Sequence, residues 1–155
     1  MSTVIIYYSK DNNTRAGAKI LGDRINAKVV ELKEMKKGNV IQALLKKSSK
    51  LEGNPWQEIK NAKTVYLMSP IWASNGVPAM NAFLERADFL NKEINIITFQ
   101  QSKNLKISEK AHEHIKKGVE NKKGIVKNCY ALLGGKMGCF AGEDMIKVKI
   151  EKIIN

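Results

Sequence analysis

Five short runs of apolar and β-branched residues, each followed by a stretch of helical periodicity, constrain this chain more than any other feature of its sequence. The first, Thr3 to Tyr8, is continuous rather than alternating, which suits a strand covered on both faces and predicts a central place in a sheet. Between Thr14 and Ile25, Ala16, Ile20, Leu21 and Ile25 recur at helical spacing and give that segment one face to pack on the sheet. A second strand is expected over Lys28 to Leu32, a short helix over Val40 to Lys47, and a third strand over Thr64 to Ser69. Gly53, Asn54 and Pro55 punctuate the chain between these last two. Pro78 stands at the start of another helix, marked by Met80, Phe83, Leu84 and Ala87, because the first helical turn needs no intrahelical donor. Strand four is read at Ile94 to Phe99, a helix at Ser108 to Glu120, strand five at Cys129 to Leu133, and a last helix at Glu143 to Ile153.

Strands alternating with helices predict an α/β protein. Right-handed crossovers leave each strand parallel to its neighbour and place helices on both faces, which is a three-layer, doubly wound, five-stranded parallel sheet. A chain of 155 residues can bury a sizeable core without disulfides or a structural metal, so one domain over residues 1–155 is expected. In such sheets ligands bind beyond the carboxyl ends of the strands, where strand order reverses. The loops after strands one, three and four therefore carry the search for a site.

The charge is unusual: 27 Lys and Arg against 15 Asp and Glu leave a formal +12, which favours an acidic partner. The lysines fall in scattered pairs (36 and 37, 46 and 47, 116 and 117, 122 and 123) and accompany no nucleic-acid motif, so no specific nucleic-acid binding is expected and much of the charge reads as solvated surface. No apolar run reaches the roughly 20 residues of a membrane span, and no membrane insertion and a cytoplasmic location are expected. Cys129 and Cys139 lack redox or metal-ligand spacing and read as free thiols. His112 and His114, two apart on a helix, point to different sides, make a poor metal pair and read as surface residues. No metal site and no nucleophilic triad is visible.

The loop after strand one reads Ser9-Lys10-Asp11-Asn12-Asn13-Thr14 and runs straight into a helix. Backbone amides at a helix start, with Ser and Thr hydroxyls and an Asn amide, form a nest that can replace the hydration of a phosphate monoester. An ordinary helix cap by Asn13 or Thr14 is the plainer reading of the same residues. The loop after strand three, Pro70-Ile71-Trp72-Ala73-Ser74-Asn75-Gly76, sets a wide aromatic surface at the sheet edge, while Ala73 and Ser74 leave room for close backbone approach. After strand four, Phe99-Gln100-Gln101-Ser102 offers amides and a hydroxyl.

Ile5-Ile6-Tyr7-Tyr8-Ser9, followed by Asp11-Asn12-Asn13-Thr14, resembles the first strand and phosphate loop of the flavodoxin-like family, with Ser9, Asn13 and Thr14 on matching positions. Pro70-Ile71-Trp72 likewise resembles the family segment that lines the isoalloxazine ring. The resemblance implies the strand order 2-1-3-4-5 and FMN held non-covalently. Its site would comprise Ser9, Lys10, Asp11, Asn12, Asn13 and Thr14 from the first loop, Pro70 to Gly76 from the second, and Phe99 to Ser102 from the third. Asp11 stands where the family has a hydroxyl residue, so its carboxylate is expected to point away, cap the helix or pair with Lys10 or Arg15. Asn12 stands where the family has glycine, and asparagine tolerates the same left-handed turn. Gln100 and Gln101 replace a glycine-rich stretch, and their amides can bond the pyrimidine edge. The peptide at Asn75 and Gly76 is expected to rotate cheaply beside flavin N5.

The function so implied is electron transfer: an FMN protein that passes electrons to an acidic redox partner, with no catalytic side chain required. A basic domain predicts a less reducing couple than acidic relatives have. The alternatives are an FMN-dependent oxidoreductase acting on NAD(P)H, a quinone or a protoporphyrinogen, and a flavodoxin-shaped binding module without flavin.

Overall fold

The computed structural model describes residues 2–154. Strands β1 (Thr3–Tyr7), β2 (Lys28–Glu31), β3 (Thr64–Pro70), β4 (Glu93–Gln100) and β5 (Ile125–Leu133) alternate with helices α1 (Asn13–Ile25), α2 (Val40–Leu44), α3 (Pro78–Arg86), α4 (Lys106–Glu120) and α5 (Glu143–Ile154). The strands form one parallel sheet in the order β2-β1-β3-β4-β5, as expected. The chain reverses direction across the sheet between β1 and β3. One turn of 3-10 helix, Pro55–Ile59, lies in the connection read as a turn.

The continuous apolar run of β1 is explained by its two covered faces. Val4 and Ile6 enter a core completed by Met80 and Phe83 of α3 and by Ile115 and Val119 of α4. Ile5 and Tyr7 enter a second core with Ala18 and Leu21 of α1 and with Ile146 and Ile150 of α5. Each fully buried Leu, Ile or Phe contributes about 2 kcal/mol relative to exposure, so the two cores hold the three layers together. Phe83 and Phe89 meet edge to face at 6.2 Å between ring centroids.

Helix α1 lies close on the sheet through two glycines. A Cβ on Gly22 would stand 2.4 Å from Val29 Cγ2, and one on Gly17 would stand 2.8 Å from Phe99 Cζ. The second of these approaches brings the start of α1 down beside the carboxyl end of β4.

β5 begins four residues earlier than its sequence pattern suggests. It is the sheet edge, so Lys127 and Asn128 face solvent without cost, and a register shift opposite Ile94 and Asn95 breaks its alternation. α2 is shorter than expected and ends at Leu44, with Lys46 in the left-handed region at φ 54°.

Candidate functional site

The carboxyl ends of β1, β3, β4 and β5 surround a cleft of about 750 Å³, counting the solvent at its mouth. Ser9, Lys10, Asp11, Asn13 and Thr14 line it from the first loop, Pro70, Ile71 and Trp72 from the second, and Phe99, Gln100 and Gln101 from the third. Of the residues singled out from sequence, Asn12, Ala73, Ser74, Asn75, Gly76 and Ser102 do not line it.

The first loop turns into α1 through Asn12, whose φ of 64° is left-handed and whose side chain does not cap the helix. That side chain instead accepts a hydrogen bond from Arg15 Nη1 at 3.0 Å, and the Arg15 guanidinium also pairs with Glu31. The Glu31 carboxylate and the Tyr7 hydroxyl hold the Arg15 pKa above its ordinary value. Ser9 Oγ, earlier in the same loop, is buried and has no hydrogen-bond partner among the described residues. The Asp11 carboxylate accepts the Gly138 amide at 3.2 Å. Among the described residues it neither caps α1 nor pairs with Lys10 or Arg15, and it lines the cleft.

The Asn13 side chain reaches the segment after β5. Its Nδ2 donates to Cys139 O at 2.9 Å and its Oδ1 accepts from Ala141 N at 2.8 Å. Gln101 Oε1 accepts from Met137 N at 2.8 Å. Asp11, Asn13 and Gln101 thus strap the segment after β5 across the cleft, where Gly134, Gly135, Met137 and Gly138 line its wall together with Val40. These five residues were missed from sequence. Close approach is required at Gly135, where a Cβ would stand 2.1 Å from Cys139 O.

Trp72 packs edge-on against Tyr8, with centroids 5.8 Å apart and planes at 82°, and Lys10 Nζ sits 5.2 Å from its ring centroid. Burial and a hydrogen bond to Glu34 push the Tyr8 phenol pKa well up. Beyond Trp72 the chain closes a two-residue turn. Trp72 N donates to Asn75 O at 3.1 Å and Asn75 N to Trp72 O at 2.9 Å, with Ala73 at φ 49° and Ser74 at φ 59°. Two positive φ values between paired residues describe a type I′ turn. Gly76 is buried away from the cleft, and a Cβ there would meet Asn81 Oδ1 at 3.2 Å. The left-handed backbone of this loop is therefore at Ala73 and Ser74 rather than at Gly76.

Gln100 is 5% exposed and donates through Nε2 to Ser102 O at 2.6 Å and Asn104 O at 3.0 Å, which folds the third loop back on itself. Its Oε1 is buried without a partner among the described residues. Ser102 Oγ accepts from Asn104 N at 3.1 Å and takes no part in the cleft.

His112 and His114 are half-buried rather than on the surface. His112 Nε2 lies 2.7 Å from Thr98 Oγ1 of β4, and His114 Nε2 lies 2.9 Å from Asn81 Oδ1 of α3. They do point to different sides, but α4 is covered on both flanks, by the sheet and by α3. Desolvation lowers both imidazole pKa values, with Lys46 adding to it at His114.

No family model matches the sequence, and no curated protein matches it. Solved structures do. A candidate flavoprotein of Bacteroides uniformis is 18% identical with a TM-score of 0.71, and the match covers 97% of each chain. A flavoprotein of Lactobacillus acidophilus, solved with FMN, is 16% identical over 84% of this chain and 92% of that one, with a TM-score of 0.66. Oxidised flavodoxin 2 of Bacillus cereus is 13% identical over 99% and 98%, with a TM-score of 0.61. At these identities the likeness is one of architecture, and together with the 2-1-3-4-5 sheet it establishes that this chain has the flavodoxin-like fold.

Proposed function

We propose that the cleft holds FMN and that the chain is a single-domain, cytoplasmic electron carrier for an acidic partner. The observation that carries the reading is Ser9 Oγ, a buried hydroxyl without a partner among the described residues, in the loop that leads into a helix start capped by no side chain. A buried hydroxyl and unpaired first-turn amides meet the oxygens of a phosphate monoester, and the positive end of the helix dipole favours its charge. Ser9, Thr14 and the first turn of α1 would hold the phosphate. Trp72 would offer its apolar face to the ring, and Gln100 Oε1 would accept a hydrogen bond from the polar ring edge. Asp11 also lines the cleft, and the Gly138 amide holds its carboxylate toward the segment after β5. When bound, FMN supplies the redox chemistry. Lys10, which lines the cleft, would favour negative charge on the reduced cofactor and make the couple less reducing.

One observation favours a second reading, a binding module without flavin: Lys10 Nζ occupies a face of Trp72. Titration with FMN separates the two. The carrier reading expects saturable quenching of flavin fluorescence at micromolar protein, weakened in S9A, and no oxidation of NADH or NADPH by the loaded protein. An absence of any yellow complex would overturn it in favour of the binding module. Turnover of NADH or NADPH would move the assignment to an FMN-dependent oxidoreductase.

A further inference from the structure

Residues 33–50 form an excursion from the sheet, pinned at its base. Met35 N donates to Lys50 O at 2.8 Å and Glu52 N to Lys33 O at 2.8 Å, and Glu34 bridges Leu51 antiparallel. On this base, α2 is closed at its start by a reciprocal cap between Asn39 and Gln42. Only Ala43 of α2 is buried. Val40, Ile41, Leu44 and Leu45 are 44, 68, 57 and 58% exposed, and Met35 is 60% exposed. Four neighbouring aliphatic side chains in water are a patch that calls for an occupant.

The charge around the patch identifies the occupant. Lys33, Lys36, Lys37, Lys46, Lys47 and Lys50 are all exposed. The segment's one carboxylate, Glu34, is turned inward onto the Gly38 amide at 2.9 Å. A second copy of the chain would set lysine against lysine, so the occupant must bring negative charge. The composition then chooses between an acidic protein and an anionic bilayer. Residues 33–50 contain no Trp, Tyr or Arg, the residues that anchor protein interfaces, and are rich in Lys, which such interfaces avoid. Aliphatic side chains on one face, with long cationic side chains at both ends to reach headgroups, match adsorption in a lipid interface.

We infer that residues 33–50 are a reversible docking surface for an anionic bilayer, with Ile41, Leu44 and Leu45 entering the headgroup boundary and the six lysines on the lipid charge. This is adsorption and not spanning: among the described residues no helix is long and apolar enough to cross a membrane. The site is separate from the FMN reading, since a chain that bound no flavin would still adsorb. Because Val40 also lines the cleft, adsorption sets the cleft mouth near the lipid surface.

The test is co-sedimentation of the full chain with phosphatidylcholine vesicles, with and without about 30 mol % phosphatidylglycerol. Binding is expected to the anionic vesicles alone, and to weaken with salt. K36Q/K37Q should lose about fivefold in partitioning per lysine removed. I41Q/L44Q, which keeps all charge, should also reduce partitioning, while K147Q/K152Q on α5 should leave it close to the parent. The substituted residues on α2 are exposed, and unchanged thermal melts verify folding. The inference is overturned if the parent chain does not bind, if I41Q/L44Q binds like the parent, or if K147Q/K152Q loses as much as K36Q/K37Q. Failure with vesicles together with capture on a polyglutamate surface, lost in K36Q/K37Q, would assign the patch to an acidic protein instead.

Discussion

Replacing Asn13 by Ala removes the central fastening of the cleft. The side chain makes two hydrogen bonds to the segment after β5, with Cys139 O at 2.9 Å and Ala141 N at 2.8 Å. Asn13 itself is 7% exposed, whereas Cys139 is exposed, so water can reach part of what is lost and the full desolvation penalty does not apply. Two hydrogen bonds at a net value of about 1 kcal/mol each give a loss of about 2 kcal/mol. Urea unfolding should show that loss as a lower midpoint with an unchanged slope. Amide exchange at Ala141 should accelerate roughly 30-fold, the same free energy read as local opening. An N13A protein that unfolds at the parent midpoint with Ala141 protection unchanged would refute the strap.

The type I′ turn at Ala73 and Ser74 places two non-glycine residues at positive φ, each at a cost of about 1 kcal/mol. A73N/S74G supplies the residues such a turn prefers and should raise unfolding stability by about 1–2 kcal/mol, and a protein no more stable than the parent would remove the strain from the account. His112 and His114 titrate below the ordinary 6.5 when folded and near it when unfolded. The unfolded chain therefore binds more protons as pH falls through 6.5, and the stability both residues contribute above 6.5 is lost between there and their lower folded values. The unfolding free energy of H112Q/H114Q should fall less than that of the parent between about pH 7 and about pH 5, and parallel profiles would refute the linkage.

The fold was legible because covered strands carry unbroken apolar runs. Thr3 to Tyr8 reads as central for the same reason that Ile5 and Ile6 are fully buried on opposite faces. The start of β5 was illegible because an edge strand need not hide Lys127 or Asn128. In the cleft, the loops after β1 and β3 announce themselves locally, through polar groups at a helix start and a tryptophan at a strand end. The segment after β5 does not. It is placed by Asp11, Asn13 and Gln101, each far away in sequence, and nothing in its own pattern records those partners. The side chain of Asn13 fastens that segment while the residue also lines the cleft, and its own loop shows only the second role. Helical spacing alone places His112 and His114 on the surface, because it cannot show that α4 is flanked on both sides.

The strap also bears on when the cleft can exist during folding. Asn13 and Ala141 are separated by 128 residues and Asp11 and Gly138 by 127, so these bonds join the first strand–helix loop to the last. Contacts of such separation form late, because the intervening chain must first be ordered to bring their ends together. The helix start near Ser9 can be in place once β1 and α1 have docked, yet its opposite wall arrives only with β5 and α5. A folding intermediate lacking α5 would therefore carry the fold's first half in native form and no cleft, which makes closure of the site a report on completion of the whole chain.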